Sequence, residues 1–285
     1  MILPTRNGAA TIGAQLEALA GQSSGGWELI VSDNGSTDST LEIVETFRGR
    51  LPDLRIVDSS DRAGPAHAAN VGARAARGPS LAFCNDDDLV GAGWVRAMTD
   101  AVARHGFVAG RLDHERLNEP WMLAVRGKPQ ADGLVSWPVN AYLPYAFACT
   151  LGVRRELHDR IGGFDEALRA GEDIDYCWRL QQLGVELHFA PAAVTHYRFR
   201  RGLWSTFTQA RTYGEANARV YTKHLRQGRM PPIEHPWRLG IRNWARVVKR
   251  ALGARSRTGV GLFLWELGWR LGTARASAQE RVVFL

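Results

Sequence analysis

Across roughly the first 90 residues, short apolar runs alternate with stretches of helical periodicity, and this alternation restricts the fold more than any other feature. Ile2-Leu3 reads as the end of a strand, and Ile12, Leu16 and Leu19 recur at helical spacing. Trp27 to Val31 is a second strand, closed by the turn signal Ser32-Asp33-Asn34-Gly35. Ser36-Thr37-Asp38 can cap a helix whose apolar face carries Leu41, Val44 and Phe47. Leu54 to Val57 is a third strand, and Ala66 to Ala76 is an alanine-rich helix ending at Gly78-Pro79. Ser80 to Cys84 is a fourth strand that runs straight into Asp86-Asp87-Asp88. Such alternation predicts an α/β fold, with a mostly parallel, Rossmann-like sheet flanked by helices. Ligands of such sheets lie beyond the carboxyl ends of the strands. Asp33 and the acids 86–88 both fall there and are expected to face one cleft.

From Asp113 to Asn140 the chain has Pro120, Pro129 and Pro138 and little periodicity, and it reads as a long irregular insertion. Regular structure resumes at Arg154, with a short helix ending at Gly162-Gly163, a helix beginning near Gly171-Glu172-Asp173, and a strand from Val185 to Phe189. Beyond Arg201 the pattern is helical over about 201–226, 237–252 and 259–274, with Pro231-Pro232 and Pro236 in the first gap. An α/β domain over 1–200 and a helical region over 201–285 are therefore expected. The net charge of +7 is unevenly placed: from Arg198 onward there are 18 Lys and Arg against 4 Asp and Glu. A basic tail on an acidic body is expected to meet an anionic partner.

Several classes are disfavoured. Three scattered cysteines, Cys84, Cys149 and Cys177, form neither a disulfide framework nor a zinc motif and suit a reducing cytoplasm. Arg6 follows Met1-Ile2-Leu3 too soon for a signal peptide. No run of about 18 apolar residues is present, since Tyr142 to Val153 is too short and Glu266 interrupts Val260 to Trp269. No G-x-G-x-x-G follows a strand, and Thr5-Arg6-Asn7-Gly8-Ala9 is not a glycine-rich phosphate loop, which argues against a dehydrogenase and a nucleotidyltransferase.

Five features can carry chemistry, and each has a structural alternative. Three adjacent carboxylates repel one another unless a cation or solvent relieves them, so Asp86-Asp87-Asp88 suits Mg2+ or Mn2+ bound together with substrate phosphates; the alternative is a solvated acidic turn. Asp33, in its polar turn, can offer a carboxylate to a base or ribose, or can simply cap the next helix. Glu172, Asp173 and Asp175 stand at a helix start, where the macrodipole favours negative charge; one of them is also placed to act as a general base. His196 follows a strand, and a lone histidine is usually structural. Arg198-Phe199-Arg200-Arg201 with Trp204, Trp237, Trp244, Trp265 and Trp269 suits a membrane interface or helix packing.

The order and spacing of these motifs are more specific than any one of them. Pro4-Thr5-Arg6-Asn7, Ile30 through Asp38, Asn70-Val71-Gly72, Phe83 through Asp88, Gly163-Phe164-Asp165-Glu166 and Gly171-Glu172-Asp173-Ile174-Asp175 together resemble the family 2 glycosyltransferases of GT-A fold, from Pro4 to about Arg201. The resemblance implies inverting transfer from a nucleoside-diphosphate sugar, with UDP or dTDP preferred, to a hydroxyl of a glycan, lipid-linked or natural-product acceptor. It implies a donor site built from Pro4, Thr5, Asn7, Asp33, Arg62, Asn70 and Asp86. It implies Mn2+ or Mg2+ held by Asp87, Asp88 and His196, and Asp173 as base supported by Glu172 and Asp175.

Two departures stand out. Asn85 occupies the position where the family's first motif aspartate is usual, which moves the main metal role to Asp87. Only three residues precede Pro4, so the first strand is short or the chain starts upstream.

A nucleic-acid-binding protein and a catalytically inactive carbohydrate-binding relative are the competing readings. The first rests on the basic tail but leaves the acidic motifs unexplained, so no nucleic-acid partner is expected. Residues beyond about 236 are expected to hold the enzyme at the anionic inner face of the cell membrane, with a homodimer interface as their alternative use.

Overall fold

A computed structural model describes residues 1–137 and 142–284, so Pro138 and Asn140 of the expected irregular insertion lie outside the described residues. The elements are β1 (Ile2–Thr5), α1 (Ile12–Ala20), β2 (Leu29–Asp33), α2 (Thr40–Glu45), β3 (Leu54–Asp58), α3 (Pro65–Ala75), β4 (Ser80–Ala82), β5 (Leu89–Val90) and α4 (Trp94–His105). They continue with β6 (Phe107–Asp113), α5 (Pro120–Arg126), β7 (Leu151–Arg154), α6 (Arg155–Arg160), α7 (Glu172–Gln182), β8 (His188–His196), α8 (Leu203–Arg226), α9 (Pro236–Leu252) and α10 (Arg257–Glu280). They form two units. The first comprises Met1–Arg116, Pro129–Val135 and Leu143–Arg198; the second comprises Leu117–Lys128 and the described parts of Ser136–Tyr142 and Phe199–Leu285.

In the first unit β1, β2 and β3 pair in parallel, with Thr5 opposite Asp33 and Asp33 opposite Asp58. Leu29, Ile30 and Val31 are buried on both faces of the sheet, which is why this strand reads as an apolar run without alternation. One face is covered by Ile12, Leu16 and Leu19 of α1, the other by the small residues Ala66, Ala69 and Ala73 of α3.

A second sheet has the order β4-β7-β6-β8-β5. The bridge between Ile2 and Phe83 joins it to β1. Here only β6 and β8 are parallel, while β7 runs antiparallel between β4 and β6, and β5 antiparallel to β8. The sheet is thus parallel in its first half and mixed in its second. Elements beyond α4 no longer alternate strand and helix strictly, so the sequence rule has no purchase there.

Three local expectations are revised. The last strand begins at His188 rather than Val185, because the Val185 N–H turns back to the Leu180 carbonyl at 3.2 Å and finishes α7. The stretch read as irregular contains α5, opened by Pro120 in its first turn and burying Met122 and Val125. The last helix runs to Glu280, carried past residue 274 by an alanine-rich turn.

The second unit is built on α8 and α10. A Cβ at Gly272 would lie 2.0 Å from the Arg211 carbonyl oxygen, and one at Gly268 would lie 2.5 Å from that of Phe207. The two backbones therefore touch where α10 presents glycines four residues apart. Trp265 and Trp269 stand edge-on to Tyr213, and the Arg126 guanidinium lies 4.1 Å over the Trp265 ring. These tryptophans belong to packing within the unit.

Candidate active site

The ends of β1, β2 and β4 converge, as parallel pairing requires. At the end of β1, the Thr5 hydroxyl donates to Asp86 Oδ2 at 2.5 Å. Gly8 lies against the same carboxylate, where a Cβ would approach Oδ2 to 2.3 Å. Burial is the main force raising the Asp86 carboxyl, and the neighbouring Asp87 charge adds to it; against the Thr5 hydrogen bond, the result is a pKa of about 6. At the end of β2, Asp33 is buried and accepts the Ser36 N–H at 3.1 Å. Asn7, at a positive φ of 54°, accepts the Thr37 N–H at 2.8 Å, while its own N–H goes to the Ser36 hydroxyl. Pro4, Thr5, Asn7, Asp33 and Asp86 thus form one continuous rim.

The acidic run is fastened from both sides. The buried Gln15 of α1 donates to the Asn85 carbonyl and accepts the Val90 N–H, each at 2.9 Å. From the end of β8, the Arg198 guanidinium donates to the Asp87 carbonyl and the Arg198 N–H to Asp88 Oδ1, both at 2.7 Å. Asp88 is 1% exposed, and burial followed by the Asp87 charge holds its carboxyl well above the usual range. A carboxyl so enclosed, with one oxygen committed to a backbone N–H, braces the loop.

His196 ends β8 opposite Leu89, beside the acidic run. Its Nδ1 lies 2.5 Å from Asp113 Oδ2, and its Nε2 accepts from the Arg116 guanidinium at 3.0 Å. Burial opposes ionisation of Asp113, yet the His196 hydrogen bond prevails and holds that carboxyl below its ordinary value. A carboxylate on Nδ1 is the arrangement that leaves an imidazole Nε2 lone pair for a cation, and here a guanidinium takes it.

Asp173 and Glu172 open α7, whose N-cap Gly171 has φ 79°. Burial raises both carboxyls, and the Asp173 charge raises Glu172 further; N–H groups of Ile174 and Ala148 moderate Asp173. Glu172 Oε2 is buried without a hydrogen-bond partner in the protein. The link between the two acidic motifs is Cys149, in the single turn before β7. Burial first, then the charges of Asp88, Asp87 and Asp173, push its thiol well up. No motif in the sequence places a cysteine between these acids.

Asp175, expected to support the base directly, is wholly buried and pairs with Arg179 at 2.6 Å. Arg179 in turn donates to the carbonyls of Ile161 and Gly163. Through Arg179, Asp175 therefore fixes the turn before α7.

Asn70 and Arg62 converge on Glu166. The buried Asn70 amide donates to the Phe164 carbonyl at 2.9 Å and to Glu166 Oε1 at 2.8 Å, and accepts the Phe164 N–H at 2.9 Å. With those bonds made, it clamps the 163–166 turn. Arg62 pairs with Glu166 at 3.0 Å, and His67 bridges Glu166 and Asp61, each at 2.8 Å. Burial opposes protonation of His67, but the two carboxylates raise it; burial likewise opposes Glu166, whose carboxyl Asn70, His67 and Arg62 hold low. Gln15, His67 and Cys149 are site residues that no motif announced.

Among the described residues no three His, Cys, Asp or Glu side chains form a metal-binding group. Mg2+ and Mn2+ at phosphates need only one or two protein ligands, the rest coming from the diphosphate and water. Burial raises the Asp86 carboxyl and leaves one oxygen of Glu172 without a partner, and a divalent cation bound among these groups would favour their ionised forms. Asp87 and, once the Arg116 guanidinium has left it, His196 Nε2 are the protein groups whose chemistry would suit such an ion.

The sequence profile described as glycosyl transferase family 2 matches residues 1–164. The pre-mycofactocin glycosyltransferase of Mycobacterium tuberculosis is 26% identical over 238 residues, which cover 79% of this chain and 47% of that one. The validoxylamine A glucosyltransferase of Streptomyces hygroscopicus subsp. jinggangensis is 29% identical over 220 residues, 66% of this chain and 52% of that one. The chain thus spans about half the length of these curated relatives. Among solved structures, a mannosyltransferase from Pyrobaculum calidifontis in complex with GDP-Man and Mn2+ superposes with TM-score 0.70 at 19% identity, over 96% of this chain and 85% of that one. Staphylococcus aureus TarS 1–349 in complex with UDP-GlcNAc gives TM-score 0.55 at 18% identity, over 99% of this chain and 91% of that one. At such identities the likeness establishes the fold.

Proposed function

The chain belongs to glycosyl transferase family 2, and on that premise we propose that it transfers a sugar, with inversion, from a nucleoside-diphosphate sugar to a hydroxyl of a glycan, lipid-linked or natural-product acceptor. The observation that carries this reading is that one turn touches both acidic motifs, the Ala148 N–H bonding Asp173 at the N-terminus of α7 and the adjacent Cys149 thiol bonding Asp88 in the run after β4. One motif suits the donor diphosphate and the other an acceptor proton, and transfer needs both in one place.

Pro4, Thr5, Asn7, Asp33 and Asp86 receive the base and ribose, with uridine or deoxythymidine preferred. Asp87 and His196 would hold a divalent ion, Mn2+ or Mg2+. That ion, when bound, offsets the charge gathering on the departing diphosphate. Asp173 accepts the proton of the acceptor hydroxyl as its oxygen bonds to the anomeric carbon. The carbon–oxygen bond to the diphosphate breaks on the opposite side, the diphosphate leaves with the electron pair, and the anomeric configuration inverts. A carboxyl raised by burial suits a base working near neutral pH. Glu172, raised by burial and then by the Asp173 charge, holds its own proton near neutral pH and so adds no second charge beside Asp173.

The test is calorimetric titration of UDP, dTDP and GDP, each with and without Mn2+, into the wild type and Asp87→Ala. Binding of UDP or dTDP that requires Mn2+ and is lost in the variant is the expected result. Binding indifferent to both Mn2+ and the substitution would overturn the assignment of Asp87, and no binding at all by folded protein would overturn the donor site.

A further inference from the structure

The helix α9 carries an exposed apolar stripe that nothing in the donor site explains. Trp237, Ile241, Trp244, Val248 and Leu252 recur at spacings of four and three, so they share one face of the helix. They are 56%, 66%, 37%, 60% and 77% exposed. The face packed within the second unit is a different one, formed by Gly240, Asn243 and Val247. The stripe is therefore not the core seam of the helix; it is a second apolar surface turned to solvent.

The flank of that stripe is cationic. The helix contains Arg238, Arg242, Arg246, Lys249 and Arg250 and no acid. At 100° per residue, Arg238, Arg242 and Lys249 follow directly alongside Ile241 and Leu252 around the helix. Arg246 turns to Glu266 at 3.5 Å, while the Arg238 guanidinium lies 5.1 Å over the Trp237 ring. No described helix is long and apolar enough to cross a membrane.

From this geometry we propose that α9 lies in the plane of an anionic lipid surface, with Trp237, Ile241, Trp244, Val248 and Leu252 entering the acyl boundary and Arg238, Arg242 and Lys249 on the headgroups. An apolar face of aliphatic and indole side chains beside a basic one is the pattern of an interfacial helix. Charge selects the occupant. A second copy of the chain would bring a like-charged helix against this one in a two-fold contact, whereas anionic headgroups complement it, each basic residue near the surface strengthening binding about fivefold at low ionic strength. This inference does not rest on the sugar-transfer reading, because vesicle binding is measured without donor or acceptor.

The experiment is flotation of the full chain with vesicles of phosphatidylcholine containing about one third phosphatidylglycerol, and with phosphatidylcholine alone. Three chains are compared: the wild type, Ile241→Asp/Val248→Asp, and Arg238→Glu/Arg242→Glu. These positions are exposed, so the fold is expected to survive, and circular dichroism checks it. The wild type should float with the anionic vesicles and not with the zwitterionic ones, and either double variant should lose tenfold or more. Salt should weaken the wild-type binding. Equal flotation of wild type and Ile241→Asp/Val248→Asp would overturn the proposal. So would a wild-type dimer that the same variant dissociates, with no flotation of either, since the stripe would then be an interface between copies.

Discussion

Replacing Asn70 by alanine distinguishes a clamp from a donor ligand. The substitution removes two hydrogen bonds to the Phe164 backbone and one to the Glu166 carboxylate, all of them buried or nearly so. Neutral bonds contribute about 0.5–1.5 kcal/mol each and one to a charged group about 1.5–3 kcal/mol, so the loss should be about 4 kcal/mol. With a urea slope of about 2–3 kcal/mol per molar, the unfolding midpoint should fall by about 1.5 M. Asn70→Asp should be at least as damaging, because a carboxylate would face both the Phe164 carbonyl and Glu166. Urea unfolding followed by tryptophan fluorescence gives the stability, and calorimetry below the midpoint gives nucleotide affinity. A midpoint within about 0.3 M of wild type, together with a tenfold loss of nucleotide affinity, would refute the clamp and restore Asn70 to the donor site.

Three further outcomes follow from the geometry. Gly272→Leu should cost the second unit more than about 3 kcal/mol, because its Cβ meets the Arg211 carbonyl and not a movable side chain; Gly253→Ala, with no atom nearer than 3.8 Å, should leave the thermal midpoint unchanged within about a degree. Asp86, at about 6 in the folded chain against about 3.9 unfolded, binds its proton more tightly when folded, so the stability it contributes is full below pH ~4 and is lost as pH rises through ~6. That contribution amounts to about 2–3 kcal/mol, and Asp86→Asn should reduce the slope between pH 4 and 6 in a urea midpoint series, leaving the part due to Asp173 and the other raised carboxyls; an unchanged slope would place the titration wholly on those groups. Asp173→Asn should lower kcat by about two to four orders of magnitude while leaving Mn2+-dependent nucleotide affinity within threefold; an equal fall in affinity would move Asp173 from base to donor ligand.

The first half of the sheet was legible because β1, β2 and β3 are parallel, buried on both faces and separated by helices of plain periodicity. Thr5, Asp33 and the acids fall at their ends by that rule alone. What periodicity does not encode is which polar side chain spends its hydrogen bonds inside the protein. Asn70, Asp88 and Asp175 lie in motifs that mark the site, yet each faces inward to hold a turn that positions another residue. Gln15 was invisible for the opposite reason: it sits on the apolar face of α1 among Ile12, Leu16 and Leu19, where its amide ties the acidic run to the helix. The mixed half of the sheet depends on β7 entering between distant strands, and no local pattern specifies that pairing.

Arg198 bears on where such a protein can be cut or recombined. Its backbone N–H and guanidinium fasten Asp88 and the Asp87 carbonyl, so the last residue of the first unit is also a brace of the loop that carries Asp87. A chain ended at His196 would keep every strand and lose that brace, leaving a carboxyl interred with one hydrogen bond fewer. In a chimera that exchanges the helical region for another, the seam therefore belongs after Arg198. Moved two residues earlier, it would pass for a linker change and act as an active-site mutation.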